Sequence, residues 1–184
     1  MFKHTKNIYL MPFDKLMHAP TLFSWIYDAA YSSYFRDFQR PLTREDVDVY
    51  PALTGSTVLM VHNMNEQDAI GMVTLHDYRA NVGSVKGGVM MAANKQKSGL
   101  GVEALWILMD YVFNSLRLNK MIVEAVAGNE RILKMIKDVG ADHEGTFVDD
   151  AIVDGELVTV LRYALKRDKT ISVINALAKK MRGI

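Results

Sequence analysis

A glycine-rich turn, Gln96-Lys97-Ser98-Gly99-Leu100-Gly101-Val102, carries the pattern Q-x-x-G-x-G and is the most informative stretch of the chain. It follows an apolar segment that predicts a strand over 85–92, and it opens a pattern that predicts an amphipathic helix over 99–116. A glycine turn at a helix start directs free backbone N–H groups at one point, where the helix dipole favours negative charge. The turn therefore predicts a cradle for the phosphates of a cofactor. The simpler alternative is a tight strand-to-helix turn in which glycine supplies backbone freedom.

The segments after this turn follow a regular order. The pattern predicts a strand over 120–127, then Gly128-Asn129-Glu130-Arg131, a helix over 132–139, Gly140-Ala141 and a hairpin whose turn is Asp154-Gly155. This order resembles the second half of the GNAT superfamily of acyl-CoA N-acyltransferases, especially its ribosomal-protein and amino-sugar acetylating branch. The resemblance is good over 85–165 and looser over 6–78.

The front half adds elements that suit the same fold. We expect a strand over 6–11, helical segments around 20–38, and a short helix that starts at a capping box in Thr43-Arg44-Glu45-Asp46. Apolar segments at 56–62 and 69–78 predict a hairpin. The resemblance implies an α/β (α+β) GNAT fold, with a mixed, mostly antiparallel sheet of about six to seven strands flanked by helices. It assigns residues 1–167 to a single acyltransferase domain and leaves 168–184 as an additional basic amphipathic helix.

Composition is consistent with this assignment. A chain of 184 residues, 49% of them apolar, fits one compact domain with a sizeable core. A net charge of +1 gives no general attraction to nucleic acid or membrane, and no apolar run approaches the roughly 20 residues that cross a bilayer. The N-terminus lacks a signal peptide's apolar stretch, and the chain has no cysteine for disulfides or thiolate chemistry. We therefore expect a cytoplasmic protein, or one enclosed in a virion.

The resemblance implies transfer of an acyl group, acetyl by default, from acyl-CoA to a primary amine by direct attack in a ternary complex. The protein must then hold the pyrophosphate, polarise the thioester carbonyl and accept the amine's proton. A main-chain N–H near Met90 or Met91 is expected to face the thioester oxygen. Asn129 matches the family's asparagine beside the pantetheine arm, and it also suits a helix N-cap. The expected pyrophosphate ligands are Gln96, Lys97, Ser98, Gly99, Leu100, Gly101 and Val102.

Three positions depart from the family pattern. Many relatives carry, in the helix after the asparagine, a tyrosine that protonates the leaving thiolate, and the corresponding residue here is Ile136. The family's Gly-Phe step is Gly140-Ala141, and Ala93 replaces a common proline. A thiol with a pKa near 8.5 is a fair leaving group without an acid. These departures do not affect the residues expected to bind the cofactor, but they put the chemical step in question.

The amine side is less readable. His76 and Asp77, at a predicted strand end, are the candidate proton acceptors, and a histidine titrates ordinarily near pH 6.5. A lone histidine at a strand end is alternatively structural or solvated. The histidines show no metal-ligand spacing, so no metal is expected. The candidate acceptor-binding residues, which alternatively belong to the core, are Trp25, Asp28 and Tyr31.

Two classes of function follow. The first is an acyl-CoA-dependent N-acyltransferase acting on a protein N-terminus, an amino sugar or a polyamine. The second is a catalytically silent GNAT-fold protein, because the Gly-Asn start, the isoleucine and Gly140-Ala141 also resemble internal-virion and head-assembly proteins of tailed bacteriophages. The tail helix is read either as docked on the domain or as an oligomer or assembly contact. Its apolar residues are Ile171, Val173, Ile174, Leu177, Ala178 and Met181.

Overall fold

A computed structural model describes residues 4–28, 41–96 and 98–182. These residues form one seven-stranded sheet in the order β1-β2-β3-β4-β5-β7-β6. Neighbouring strands are antiparallel except for β4 and β5, which run parallel. The expected mixed, mostly antiparallel GNAT sheet is therefore confirmed. The strands are β1 (Ile8–Pro12), β2 (Thr57–Asn63), β3 (Ala69–Arg79), β4 (Ser84–Met91), β5 (Lys120–Val126), β6 (Asp142–Val153) and β7 (Glu156–Lys166).

Helices cover both faces of the sheet. The capping box is confirmed, since the Thr43 side chain accepts from the Asp46 amide while the Asp46 carboxylate accepts from the Thr43 amide. The predicted hairpin turn at Asp154-Gly155 also forms, and both residues have positive φ. The described helices are α1 (Lys15–Ile26), α2 (Arg44–Asp48), α3 (Tyr50–Thr54), α4 (Leu100–Asp110), α5 (Glu130–Asp138) and α6 (Arg167–Arg182).

The sheet opens between its two parallel strands. β4 and β5 pair only at Ser84 with Lys120, Val85 with Met121 and Lys86 with Ile122. β4 continues to Met91 and β5 to Val126, so beyond Lys86 the facing edges of the two strands are unpaired with each other. We call this opening the β4–β5 gap. Its closed end lies at Lys86, and its open end lies at the carboxyl ends of both strands.

The larger core lies on the sheet face that carries α4, α5 and α6, and we call it the α4 core. The helix over 99–116 was predicted to be amphipathic, with one face exposed. This prediction is wrong for α4, because every side chain from Ala104 to Asp110 is buried. A helix that is buried all round needs a cover on its outer side. α6 forms part of that cover. The indole N–H of Trp106, on α4, donates to the carbonyl of Ile174, on α6, at 3.0 Å.

The tail helix is docked on the domain. α6 begins at Arg167 and buries Ile174 and Met181 in the α4 core, while Ile171, Leu177 and Ala178 pack partly against it. The docked-helix interpretation therefore describes the structure, and the apolar face of α6 is already occupied. None of the described helices is long and apolar enough to cross a bilayer.

A second core lies on the opposite sheet face, against α1, α2 and α3, and we call it the α1 core. A row of methionines crosses its floor. Met11 faces Met60, Met60 faces Met72, and Met72 faces Met90, each on the neighbouring strand. Directly opposed residues share a sheet face, so these four thioethers form one line from β1 to β4.

Candidate active site

The glycine turn lies at the open end of the β4–β5 gap. β4 ends at Met91, a single 3₁₀ turn spans Ala93–Lys95, and Gly99 is the residue before α4. Gly99 has φ +85°, a left-handed conformation that side-chain-bearing residues rarely adopt. The strand-to-helix turn predicted from Q-x-x-G-x-G is thus present, and glycine is needed at this position.

The first N–H groups of α4 have no carbonyl acceptor within the helix, because the residues four positions earlier lie outside it. The Leu100 N–H donates to Ser98 Oγ at 3.3 Å, and the Val102 N–H donates to the Gly99 carbonyl at 3.0 Å. Among the described residues, no hydrogen-bond acceptor serves the N–H groups of Gly99 and Gly101. Free donors at a helix N-terminus are the groups that bind phosphate.

The turn has room for a ligand on its outer side. Gln96, Ser98 and Gly99 are exposed, and a Cβ at Gly99 would meet no atom within 4 Å. Gly101 is buried instead, and a Cβ there would approach Met91 Cγ to 3.3 Å. Lys97 lies outside the described residues. The turn is therefore open on its exposed side and backs onto the end of β4, and its role as a phosphate cradle stays a prediction.

Asn129 lies at the same edge of the sheet. β4 and β5 are parallel, so the turns that follow their carboxyl ends lie side by side. Asn129 caps α5, because its side-chain oxygen accepts from the Ile132 N–H at 3.3 Å. The N-cap interpretation is thus satisfied by the structure. The contact with a pantetheine arm stays a prediction, since one asparagine side chain can serve both purposes.

Strand alternation distinguishes Met91 from Met90. The Ala92 N–H donates to the Ile70 carbonyl of β3 at 2.8 Å. Backbone groups alternate along an antiparallel ladder, so the Met90 N–H also faces β3 and the Met91 N–H faces the β4–β5 gap. Of the two residues predicted near a thioester oxygen, Met91 presents its amide to the gap.

Charged side chains gather at the closed end of the gap. Lys86 Nζ lies 3.0 Å from Asp77 Oδ2 and 3.6 Å from Glu124 Oε1, so it links β3, β4 and β5. Arg162 of β7 contacts the same Glu124 oxygen through Nε at 2.8 Å and through an Nη at 2.7 Å. The Arg162 guanidinium also lies 4.4 Å from the centroid of the Phe147 ring. We call Asp77, Lys86, Glu124 and Arg162 the charged cluster.

The charged cluster contains residues that the sequence pattern did not single out. Glu124 and Arg162 are 38 positions apart and meet only because β5 pairs with β7. The sequence does carry one indication of this contact. The apolar strands β5 and β7 each have a charged residue at their centre, and a charge buried there requires a partner of opposite charge. Pairing such residues requires the strand order, which a single sequence does not contain.

The predicted proton acceptors lie at this closed end. His76 is half-buried and faces Lys86 across the β3–β4 ladder. Asp77 is bound to Lys86, and the bonded ammonium holds the pKa of this carboxyl below its usual value. A carboxylate held in this way is a weak proton acceptor, so His76 is the better placed of the two.

The residues predicted to bind the acceptor are only partly described. Trp25 is buried in the α1 core, and Asp28 is exposed just after the end of α1. Tyr31 lies outside the described residues. Ile136 is buried in the α4 core and has no group that could donate a proton. Contact of these residues with an acceptor or a thiolate stays untested.

Residues 7–142 match a family model described as an acetyltransferase (GNAT) domain. This chain belongs to the GNAT acetyltransferase family. Family membership supports N-acetyltransferase activity, and the seven-stranded sheet with its open parallel pair is the scaffold on which that activity rests. No curated protein sequence matches the chain.

Solved structures share this GNAT fold at low sequence identity. Spermidine N-acetyltransferase from Vibrio cholerae in complex with CoA and spermine has a TM-score of 0.80 at 17% identity, covering 89% of this chain and 98% of that one. A GNAT-family acetyltransferase from Bacillus anthracis has a TM-score of 0.77 at 18% identity, covering 91% and 99%. Neither the family match nor these structures support the suggested bacteriophage or virion role.

Proposed function

We propose that this GNAT protein transfers an acetyl group from acetyl-CoA to a primary amine. The proposal rests on the β4–β5 gap, which runs from the amides of Gly99 and Gly101, unbonded within the described part of the chain, to the charged cluster at Lys86. A strand rises about 3.3 Å per residue, so the distance along β4 from Met91 to Lys86 is roughly 16 Å. One extended ligand in the gap would reach both ends.

The cofactor end supplies binding energy and orientation. We assign the pyrophosphate to the amides around Gly99 and Gly101, with Gln96, Lys97, Ser98, Leu100 and Val102 completing the turn. The helix dipole of α4 favours the negative charge there. Acetyl-CoA, when bound, supplies the acyl group as a thioester. The Met91 N–H, aimed into the gap, is positioned to stabilise negative charge on the carbonyl oxygen during attack.

The amine end supplies the proton acceptor. We assign to an imidazole nitrogen of His76 the role of final acceptor of the proton that the attacking amine must lose. Because His76 lies roughly 16 Å along the sheet from the Met91 N–H, the proton would reach it through a chain of water molecules and not directly from the attacking nitrogen. The charged cluster fixes the strands around it, since Lys86 bonds to residues of β3 and β5. Ile136 donates no proton, so the thiolate leaves unassisted, as a good leaving group can.

A polyamine is the first acceptor to test. The Vibrio cholerae neighbour is a spermidine N-acetyltransferase that binds CoA and spermine. Amino sugars and protein N-termini are the other acceptor classes. Thiol release from acetyl-CoA, measured over a panel of these amines, identifies the class. A chain that binds CoA but turns over none of them would be a silent GNAT protein.

Cofactor binding is tested by thermal unfolding with and without acetyl-CoA. A ligand at about 100 times its dissociation constant adds about 2.7 kcal/mol of stability, an easily measured shift for a domain of this size. We expect acetyl-CoA and CoA to produce this shift and adenosine alone to produce none. Absence of any shift with millimolar acetyl-CoA would contradict the proposal.

The cradle is tested by the double variant Gly99→Val, Gly101→Val, which should lose the acetyl-CoA shift. Gly140→Val is the matched control for backbone strain. Gly140 has φ +82° with nothing within 4 Å of a Cβ, and Gly99 has φ +85° with equally open surroundings. The control should lose stability but keep its response to acetyl-CoA. Unchanged affinity in the double variant would remove the phosphate role from this turn.

A further inference from the structure

Two buried histidines join α1 to β2. His18 Nε2 and His62 Nε2 lie 3.0 Å apart, and each residue is only 1% exposed. The Tyr9 ring stacks on His62 with a centroid distance of 5.2 Å, and the Phe13 ring lies 5.8 Å from His18. The pair is therefore shielded from water by aromatic groups, and it plays no part in the proposed transfer of an acetyl group.

The hydrogen bonds fix where the ring protons are. The Asp14 backbone N–H donates to His18 Nδ1 at 2.8 Å, so Nδ1 carries no proton. Neutral His18 is then protonated at Nε2 and donates to His62 Nε2. His62 in turn carries its proton on Nδ1, and among the described residues this buried nitrogen has no hydrogen-bond partner of normal geometry. The two rings hold two protons, each with one defined position.

A metal ion does not fit between these rings. Histidines that bind a metal through Nε2 usually donate a proton from Nδ1 to an acceptor. His18 Nδ1 faces an N–H donor, which excludes that arrangement. The described residues also contain no group of three or more side chains that could hold a metal ion. The N–H···N bond between the rings is the arrangement that satisfies the observed partners.

We propose that His18 and His62 form an acid-sensitive latch that fastens the start of α1 to β2. A third proton has no position in the pair. Placed on His62 Nε2, it opposes the proton of His18, and placed on His18 Nδ1, it opposes the Asp14 N–H. Protonation therefore breaks either the bond between the rings or the bond that ties Asp14 to α1.

The surroundings favour the neutral pair. Burial is the main cause that lowers the pKa of both histidines, and His62 lowers that of His18 further. Asp14 opposes this at His18, through its charge and its backbone. At His62 the nearby Gln67 backbone opposes it first, through a contact too poor in geometry to count as a full hydrogen bond, and the charge of Asp68 opposes it second. Tyr9 is the titratable group contributed by β1.

The sign of the effect follows from linkage. A histidine with a lowered pKa binds fewer protons in the folded state than in the unfolded chain, whose value is near 6.5. The contribution of the latch is therefore complete above about pH 6.5 and is lost as the pH falls below that value. Opening would occur on the α1 side of the sheet and leave the glycine turn before α4 in place.

Nitrogen NMR of the histidine side chains in the unmodified protein gives a direct test. At pH 7.5 we expect His18 to be neutral with its proton on Nε2, and His62 to be neutral with its proton on Nδ1. The opposite assignment for either ring, or a charged ring at that pH, would overturn the latch. This measurement requires no variant and therefore does not depend on a variant that folds.

Hydrogen exchange tests the mechanical consequence. We expect the equilibrium constant for opening of α1, obtained from exchange rates corrected for their intrinsic pH dependence, to rise as the pH falls from 7.5 to 5.5. The rise should be about 10-fold for each pH unit between 6.5 and the lowered folded-state pKa. The exchange of backbone amides in α4 should not show this pH dependence. His62→Gln keeps an acceptor for the His18 N–H and cannot gain a proton, so its α1 exchange should lose the part of this dependence that His62 contributes and keep the part that buried His18 contributes. His143→Gln, at an exposed site, is the control. An equal pH response in His62→Gln and the wild-type protein would refute the proposal.

Discussion

The two faces of the sheet are held together in different ways. In the α4 core, a continuous run from Ala104 to Asp110 is buried between the sheet and other helices, and α6 closes the outer side. In the α1 core, the floor is a methionine row, and the first helix is attached through two imidazoles. Interlocked aliphatic and aromatic groups resist rearrangement, whereas thioethers adapt to new shapes. The α4 core also buries methionines, namely Met91, Met109, Met121 and Met181, but they are a smaller share of a larger core. We therefore expect the α4 face to be the firmer support for the cofactor end and the α1 face to be the more adjustable wall.

The two tryptophans of the chain test this difference with the largest expected effect. Trp106 in the α4 core is 0% exposed, and Trp25 in the α1 core is 6% exposed. We expect Trp106→Ala to lower the free energy of unfolding by about 3–5 kcal/mol, because the cavity cannot collapse and the bond to Ile174 is lost. Trp25→Ala should cost less, because flexible neighbours can fill part of the space. Urea unfolding measures both, and equal losses would remove the distinction.

A second pair compares aliphatic with thioether side chains. Leu108 and Met72 are each 0% exposed, the first in the α4 core and the second in the methionine row. Truncation to alanine costs about 2–5 kcal/mol in general, and we expect Leu108→Ala near the top of that range and Met72→Ala near the bottom. Met72→Leu should cost less than about 1.5 kcal/mol. A larger loss for Met72→Ala than for Leu108→Ala would show that the row is packed as tightly as the α4 core.

Asn129 offers a smaller effect that separates two roles. Asn129→Ala should destabilise the protein by about 1 kcal/mol through loss of the N-cap, as chemical unfolding will show. Asn129→Ser keeps a capping oxygen and should restore most of that stability. If the asparagine amide also contacts the cofactor, acetyl-CoA should still bind more weakly to the serine variant. Full affinity in that variant would leave Asn129 with the capping role alone.

Asp77 should give the smallest effect. Its side chain is 58% exposed, so solvent screening limits the worth of its bond to Lys86 to about 0–1 kcal/mol. Because its folded-state pKa is lowered, this contribution is present at neutral pH and is lost only as the pH falls through the lowered value. Asp77→Asn suits the left-handed backbone at φ 51° and should abolish that acidic dependence. A loss well above 1 kcal/mol at pH 7 would contradict the screening argument.

Sequence patterns were sufficient for the parts of the molecule that are built from neighbours in the chain. The glycine turn, the capping box at Thr43 and the hairpin turn at Asp154 depend on local backbone geometry, and all three formed where predicted. The helix predicted over 99–116 corresponds to α4 (Leu100–Asp110) followed by a π-helical turn over Tyr111–Ser115, but its pattern did not reveal burial on all sides of α4. The cover comes from α6, which follows far along the chain.

Contacts between distant residues could not be predicted. His18 and His62 are 44 positions apart, and the methionine row exists only because β1, β2, β3 and β4 are neighbours in one register. A shift of one residue in any of these strands would turn the side chains to the other face. Partners of this kind follow from the complete sheet, so the amine side was less readable than the cofactor side.

The methionine row has a chemical consequence. Peroxide converts an accessible thioether to a sulfoxide, a larger and more polar group that a packed core does not accommodate. Met11 is half-buried at the end of the row, whereas Met60 and Met72 are fully covered beneath the α1 side. Oxidation should therefore begin at Met11 and advance inward only when the wall above it lifts. Which of the four sulfurs carry oxygen therefore reports how far this side of the protein has opened, until a reductase removes the oxygen.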